Sequence, residues 1–233
     1  MRVVVELAII VVGVLIALAV DQWASDRAAR KTELDYLHAL SADLRSDSSL
    51  FTDVLIPIMG RAREALDDIG PVVRGEVPFP VDTIAFLQQV VTSTGSFTQL
   101  GVRTTFEELL STGSLRLIRS STLRSSLASY YESKGLQENR SAMRASGYPD
   151  VVRTFLPGDA FGPERSALAV VPELEIRVFG LQRAVNGVRS EVFIGAMNRH
   201  VNYLSVLRPA LDRVNAALQA TLFELHAMIE VRD

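Results

Sequence analysis

From Val3 to Val20 every position is apolar or glycine except Glu6. A helix without a polar stripe has no face for water, and at about 1.5 Å of rise per residue this run covers roughly 27 Å, close to the thickness of bilayer hydrocarbon. The pattern predicts a single transmembrane helix over residues 1–22. Trp23 follows as a membrane-interface anchor, its indole among the headgroups with the N–H hydrated. The alternative for a run of this length is a cleaved signal peptide, because Ala17-Leu18-Ala19 has the small-x-small form of a cleavage site. Glu6, Gly13, Ala17 and Asp21 repeat at helical spacing and share one side. Gly13 and Ala17 form a small-x-x-x-small pair that admits a second helix, while Glu6 either snorkels to the headgroups or meets a protein neighbour.

Beyond Trp23 the period stays helical. Leu37, Leu40, Leu44, Phe51 and Val54 recur on one face, with Asp47 and Ser48 interrupting. This predicts a stalk over 23–56 that continues the anchor into the first helix of a bundle, stopped or kinked at Pro57. A second helix is expected over Ile58–Ile69, ended by Gly70-Pro71, and then a loop to Val81 that carries Phe79. Asp82 is placed to cap a helix from Thr83 to about Val91, and the polar stretch Thr92–Gly101, which holds Phe97, reads as a loop. Thr104-Thr105-Phe106-Glu107 has the form of a capping box, with Gly113 as the left-handed residue that closes the helix. A helix from Ser120 or Ser121 to about Ser146 follows, then a short one between Gly147-Tyr148-Pro149 and Leu156-Pro157-Gly158. The loop Gly158–Glu164 carries Phe161, and helical spacing returns from Pro172. Leu204, Leu207, Leu211, Val214, Leu218, Leu222, Leu225 and Met228 mark a buried seam, with Pro209 bending the chain or starting a new helix. The expected fold is all-α: a single N-terminal transmembrane helix continuing into an antiparallel helical bundle over 23–233.

The 233 residues suffice for one sizeable domain outside the membrane, and a 48% hydrophobic share excludes general disorder. A net charge of −3, without a basic run, leaves nucleic acid no electrostatic footprint. The absence of cysteine excludes disulfides, thiolate metal sites and cysteine nucleophiles. His38, His200 and His226 are isolated and read as ordinary surface or core residues. Tyr130 and Lys134 have the Tyr-x-x-x-Lys spacing of short-chain dehydrogenases, yet no glycine-rich nucleotide-binding turn precedes them, so Tyr130 and Tyr131 read as helix residues. Asp67-Asp68 and Glu107-Glu108 point about 100° apart on a helix and read as solvated faces. Arg61, Arg63, Arg116, Arg119, Arg124, Arg140 and Arg144 make the middle of the chain arginine-rich, which suits protein interfaces or reflects genome composition.

Two blocks resemble a bacterial family of uncharacterised single-pass membrane-anchored helical proteins. One is Glu6-Leu7, Val11-Val12-Gly13-Val14-Leu15-Ile16-Ala17-Leu18 and Asp21-Gln22-Trp23, with Arg27 and Lys31 beyond. The other is Thr104–Tyr131, with Glu107-Glu108-Leu109, Ser111-Thr112-Gly113, Leu117-Ile118, Leu123-Arg124 and Tyr130-Tyr131. The resemblance implies topology rather than activity. The count of basic residues around the span favours a cytoplasmic domain; the resemblance implies the bacterial cytoplasmic (inner) membrane with the C-terminal domain periplasmic. The expected function is that of a non-catalytic accessory or scaffolding subunit without cofactor or metal. Its partners are the lipid bilayer and other membrane proteins, for instance in a photosynthetic or respiratory energy-transducing complex. They are met through the Glu6, Gly13, Ala17, Asp21 face and the loops around Phe79, Phe97 and Phe161. The alternative is an extracytoplasmic sensor or small-ligand-binding domain that needs a signalling partner.

Overall fold

A computed structural model describes residues 2–97, 100–143, 147–156 and 184–230, with side chains from Ile10 onward except at 141–143. Among the described residues the structure is all-α, without a strand. Helix α1 spans Arg2–Ser49, α2 Ile56–Val73, α3 Thr83–Thr92, α4 Thr104–Ser111, α5 Ser121–Met143, α6 Tyr148–Phe155 and α7 Glu191–Glu230. Among the residues whose side chains are described, which begin at Ile10, no helix is long and apolar enough to cross a membrane, so the expected transmembrane helix over 1–22 is not supported there. The loop expected over Gly158–Glu164, the helix start at Pro172 and Phe161 lie outside the described residues.

The helix does not stop at Pro57. Between α1 and α2 the chain makes a π-helical segment, Leu50–Leu55, and the Ile56 N–H bonds to the Phe51 carbonyl five residues back. A proline in a regular α-helix would strike the carbonyl four residues earlier and leave it without a donor; the wider π turn relieves both problems and lets the coil run on. Gly70-Pro71 does not end α2 either. The helix reaches Val73, the Arg74 N–H bonds to the Gly70 carbonyl, and Gly75 at φ 77° turns the chain away.

The chain forms two compact units: residues 1–45, 102–128 and 220–233, and residues 46–101 and 129–219. Three of the boundaries fall inside α1, α5 and α7, and the fourth, after Gly101, lies between α3 and α4. In the first unit Leu37, Leu40 and Leu44 of α1, Phe106 and Leu109 of α4, Leu123 and Leu127 of α5 and Leu225 of α7 are buried. Glu33 is buried with them; its Oε1 accepts the Arg119 N–H at 2.7 Å. Tyr36 donates to Glu108 at 3.0 Å, and Asp43 accepts the Thr105 N–H at 3.2 Å, so α4 runs antiparallel to α1. The second of these bonds corrects the expected capping box. The N-cap of α4 is Arg103, which makes no side-chain cap. The free N–H of the first turn is met from another helix, and the carboxylate also faces the positive end of the α4 dipole. Asp43→Ala is expected to cost about 1 kcal/mol, the usual value of a lost N-cap, read as a lower midpoint in urea unfolding. Gly113 does close α4, at φ 67°.

In the second unit Asp82 caps α3 by accepting the Ala85 N–H at 2.9 Å, as its place before the helix suggests. Phe51, Met59, Ile69, Phe86, Leu87 and Val90 are buried, together with Tyr148, Val152, Phe193, Leu204, Leu207, Leu211, Val214 and Leu218. The α7 seam is buried from Leu204 to Leu225, with Met228 half-buried, and α7 passes Pro209 without ending.

Candidate functional site

The expected membrane face lies on α1 of the first unit. Gly13, Ala17, Asp21 and Trp23 all fall on this helix; Glu6 does too, although its side chain lies outside the described ones. Every large apolar side chain from Ile10 to Val20, and Trp23, is 48–63% exposed. The exposure is uniform around the axis, whereas a helix packed on a core hides one stripe. A Cβ built at Gly13 meets nothing within 4 Å, so no described residue of this chain uses the space the glycine leaves. Of the expected contact loops, Phe79 is half-buried, edge-on to Phe86 at 4.7 Å between centroids, with the Arg189 guanidinium over its ring at 5.3 Å. Phe97 is buried in the second unit and offers little surface.

The second unit holds a cluster that the sequence pattern does not reveal. Asp47 sits in the phase of the buried α1 stripe, between Leu44 and Phe51, and is itself buried. Two donors reach its Oδ2, Tyr130 Oη at 2.7 Å and Lys134 Nζ at 2.7 Å. Both partners come from α5, one turn apart, and both are fully enclosed. The Lys134 ammonium also lies 5.7 Å and 5.5 Å from the ring centroids of Tyr130 and Tyr131. One turn further on, Glu138 accepts the Leu100 N–H at 2.8 Å and holds the end of the loop. Next to it Gly101, at φ 107°, leaves no room for a side chain: a Cβ there would stand 1.9 Å from Asp47 Oδ1.

This geometry decides what the Tyr-x-x-x-Lys spacing can do. A tyrosine that exchanges protons in catalysis needs a lowered pKa. Here burial, followed by the charge of Asp47 and the hydrogen bond to it, drives the Tyr130 hydroxyl far above its ordinary range. Tyr130 is a fixed donor, and the cluster is a buried ion pair with one neutral hydrogen bond. The notable signal in the sequence is the four-residue repeat Tyr130, Lys134, Glu138, which places three polar groups on one side of α5.

His200 lies in the same unit, stacked on Tyr148 and Tyr203 at centroid distances of 5.1 Å and 5.8 Å. Burial pushes its pKa down to about 4, against hydrogen bonds to the backbone at Ser93 and Gly95 that favour the charged form. The Tyr148 hydroxyl is 2.8 Å from Ser93 Oγ, and burial raises its pKa above the ordinary tyrosine range. In the first unit His226 Nε2 lies 2.9 Å from an Arg45 nitrogen, and His38 is exposed. Among the described residues no three carboxylate or imidazole groups converge as a metal site would require. No family model, no curated protein and no solved structure matches this chain.

Proposed function

We propose that the chain is a non-catalytic, single-pass membrane protein whose N-terminal helix lies in lipid and continues into an antiparallel helical bundle that serves as an accessory or scaffolding subunit. The observation that carries this reading is the uniform exposure of the apolar side chains of α1 from Ile10 to Val20. Water is a poor solvent for such a rod on every side, and hydrocarbon is a good one. The thirteen valines, isoleucines and leucines between Val3 and Val20 each favour insertion by roughly 0.3–0.6 kcal/mol, against about 3 kcal/mol for an acidic side chain at mid-bilayer and less for one near an end, as Glu6 is. Insertion wins. Trp23, exposed and beneath the Arg27 guanidinium at 5.8 Å, suits the headgroup zone.

The open space at Gly13, with Ala17 one turn on, supports lateral contact with a helix of another membrane protein. The resemblance of the two sequence blocks to an anchored bacterial family supports an inner-membrane location with the domain in the periplasm. Full-length protein expressed in a bacterium is expected to stay with the membrane through high-salt and alkaline carbonate washes, and to enter the soluble fraction when residues 2–20 are deleted. Release of the full chain by carbonate would sink the reading. Since the chain has no cysteine, a single Ser121→Cys variant tests orientation cleanly: an impermeant maleimide should label it in intact spheroplasts. Bulky Gly13→Leu and Ala17→Leu substitutions should then reduce what co-purifies in mild detergent while leaving membrane retention intact.

A further inference from the structure

The second unit has a groove of about 290 Å³ between residues of α5 and α7. It is lined by Tyr203, Val206, Leu207 and Ala210 together with three arginines, Arg140 from the last turn of α5 and Arg199 and Arg213 from α7. Asn202 and Gln137 add neutral hydrogen-bonding groups. Leu207 and Ala210 are buried and Tyr203 is half-buried, whereas Val206 and the three arginines are exposed. Elsewhere on α7 a surface arginine is neutralised by its own helix: Arg208 bonds Asp212 at 3.1 Å. Neither Arg140, Arg199 nor Arg213 has a carboxylate in salt-bridge range among the described residues. Three cations that line one recess without a counter-charge favour a ligand of opposite charge.

Arg199 and Arg213 are fourteen positions apart on one helix, which separates their Cα atoms by about 21 Å along the axis. The apolar lining lies between them. A ligand matched to this order carries an anionic group at each end and an aliphatic middle; a guanidinium grips a carboxylate through two parallel N–H donors. We propose that the groove binds an elongated organic dianion, a linear aliphatic dicarboxylate being the simplest member of the class. The inference stands on the second unit alone and is independent of membrane anchoring.

Calorimetric titration of the full chain, held in phosphatidylcholine nanodiscs, tests it with the soluble series succinate, adipate, suberate and sebacate. Octanoate, octanediol, octanediamine and inorganic phosphate serve as controls. Affinity is expected to rise with chain length among the dicarboxylates, to fall for octanoate, and to vanish for the diol and the diamine. Arg199→Gln and Arg213→Gln should each weaken suberate or sebacate by about tenfold or more, the worth of a charge-assisted hydrogen bond. Val206→Glu, which sets a carboxylate in the lining at an exposed position, should abolish binding with the fold unchanged by circular dichroism. Absence of dicarboxylate binding at millimolar concentration overturns the proposal. So does equal binding of phosphate or of the diol, or unchanged affinity in both arginine variants.

Discussion

Lys134→Met is expected to lower the free energy of unfolding by about 3–5 kcal/mol, the cost of stranding a charge in a protein interior. The substitution keeps the length and apolar stem of the side chain and removes the ammonium, so the Asp47 carboxylate stays buried without the Lys134 charge, with Tyr130 still a neutral donor to it. Asp47→Leu should be similarly costly, because it leaves the Lys134 ammonium enclosed. The triple variant Asp47→Leu, Tyr130→Phe, Lys134→Met removes these three polar groups together and should recover most of the loss, to within about 1 kcal/mol of the parent. Urea unfolding with an unchanged slope measures all three. Single substitutions costing less than 1 kcal/mol would show that water or relaxation solvates the pair and that the site is not closed.

Acid should weaken the protein through His200. In the folded chain its pKa is about 4, held down by burial, while the unfolded value is the ordinary 6.5. Between these values the unfolded chain takes up the proton and the folded chain does not, so unfolding is favoured as the pH falls. Stability is therefore full above about pH 6.5 and declines towards pH 4, by about 3 kcal/mol in all. His200→Gln keeps a donor for the backbone of Ser93 or Gly95 and cannot take a charge, so its stability curve should be flatter over that interval. Denaturation midpoints of the two proteins across the range give the comparison directly. Parallel curves would mean that protonated His200 finds a stabilising partner in the fold.

How much of this was legible varies with the range of the interaction. The α3 cap at Asp82, the glycine stop at Gly113 and the seam from Leu204 to Leu225 are local features, set within a few residues of one another, and the sequence shows them. Pro57 misleads because its effect depends on the register of the backbone around it, and a π turn absorbs what an α-helix cannot. The capping box at Thr104 fails for a different reason. Asp43, distant in sequence, accepts the Thr105 N–H of that first turn and supplies a full negative charge there. Asp47 reads as a break in a hydrophobic stripe, since nothing within a turn or two distinguishes a polar residue facing water from one facing the core.

What the order of residues determined by itself is the all-helical character of the described residues and the division between an apolar rod, Val3 to Val20, and the amphipathic helices beyond it. Those properties follow from hydrophobic periodicity, and periodicity is a property of one strand of chain. What only the tertiary structure decided is which polar groups lie inside. Asp47, Tyr130 and Lys134 become an ion pair with its hydrogen bond, and Arg140, Arg199 and Arg213 come to line one groove, only when helices far apart in sequence are brought side by side. The sign and size of an electrostatic interaction are set by distance and solvent exclusion, and neither exists until the chain has folded.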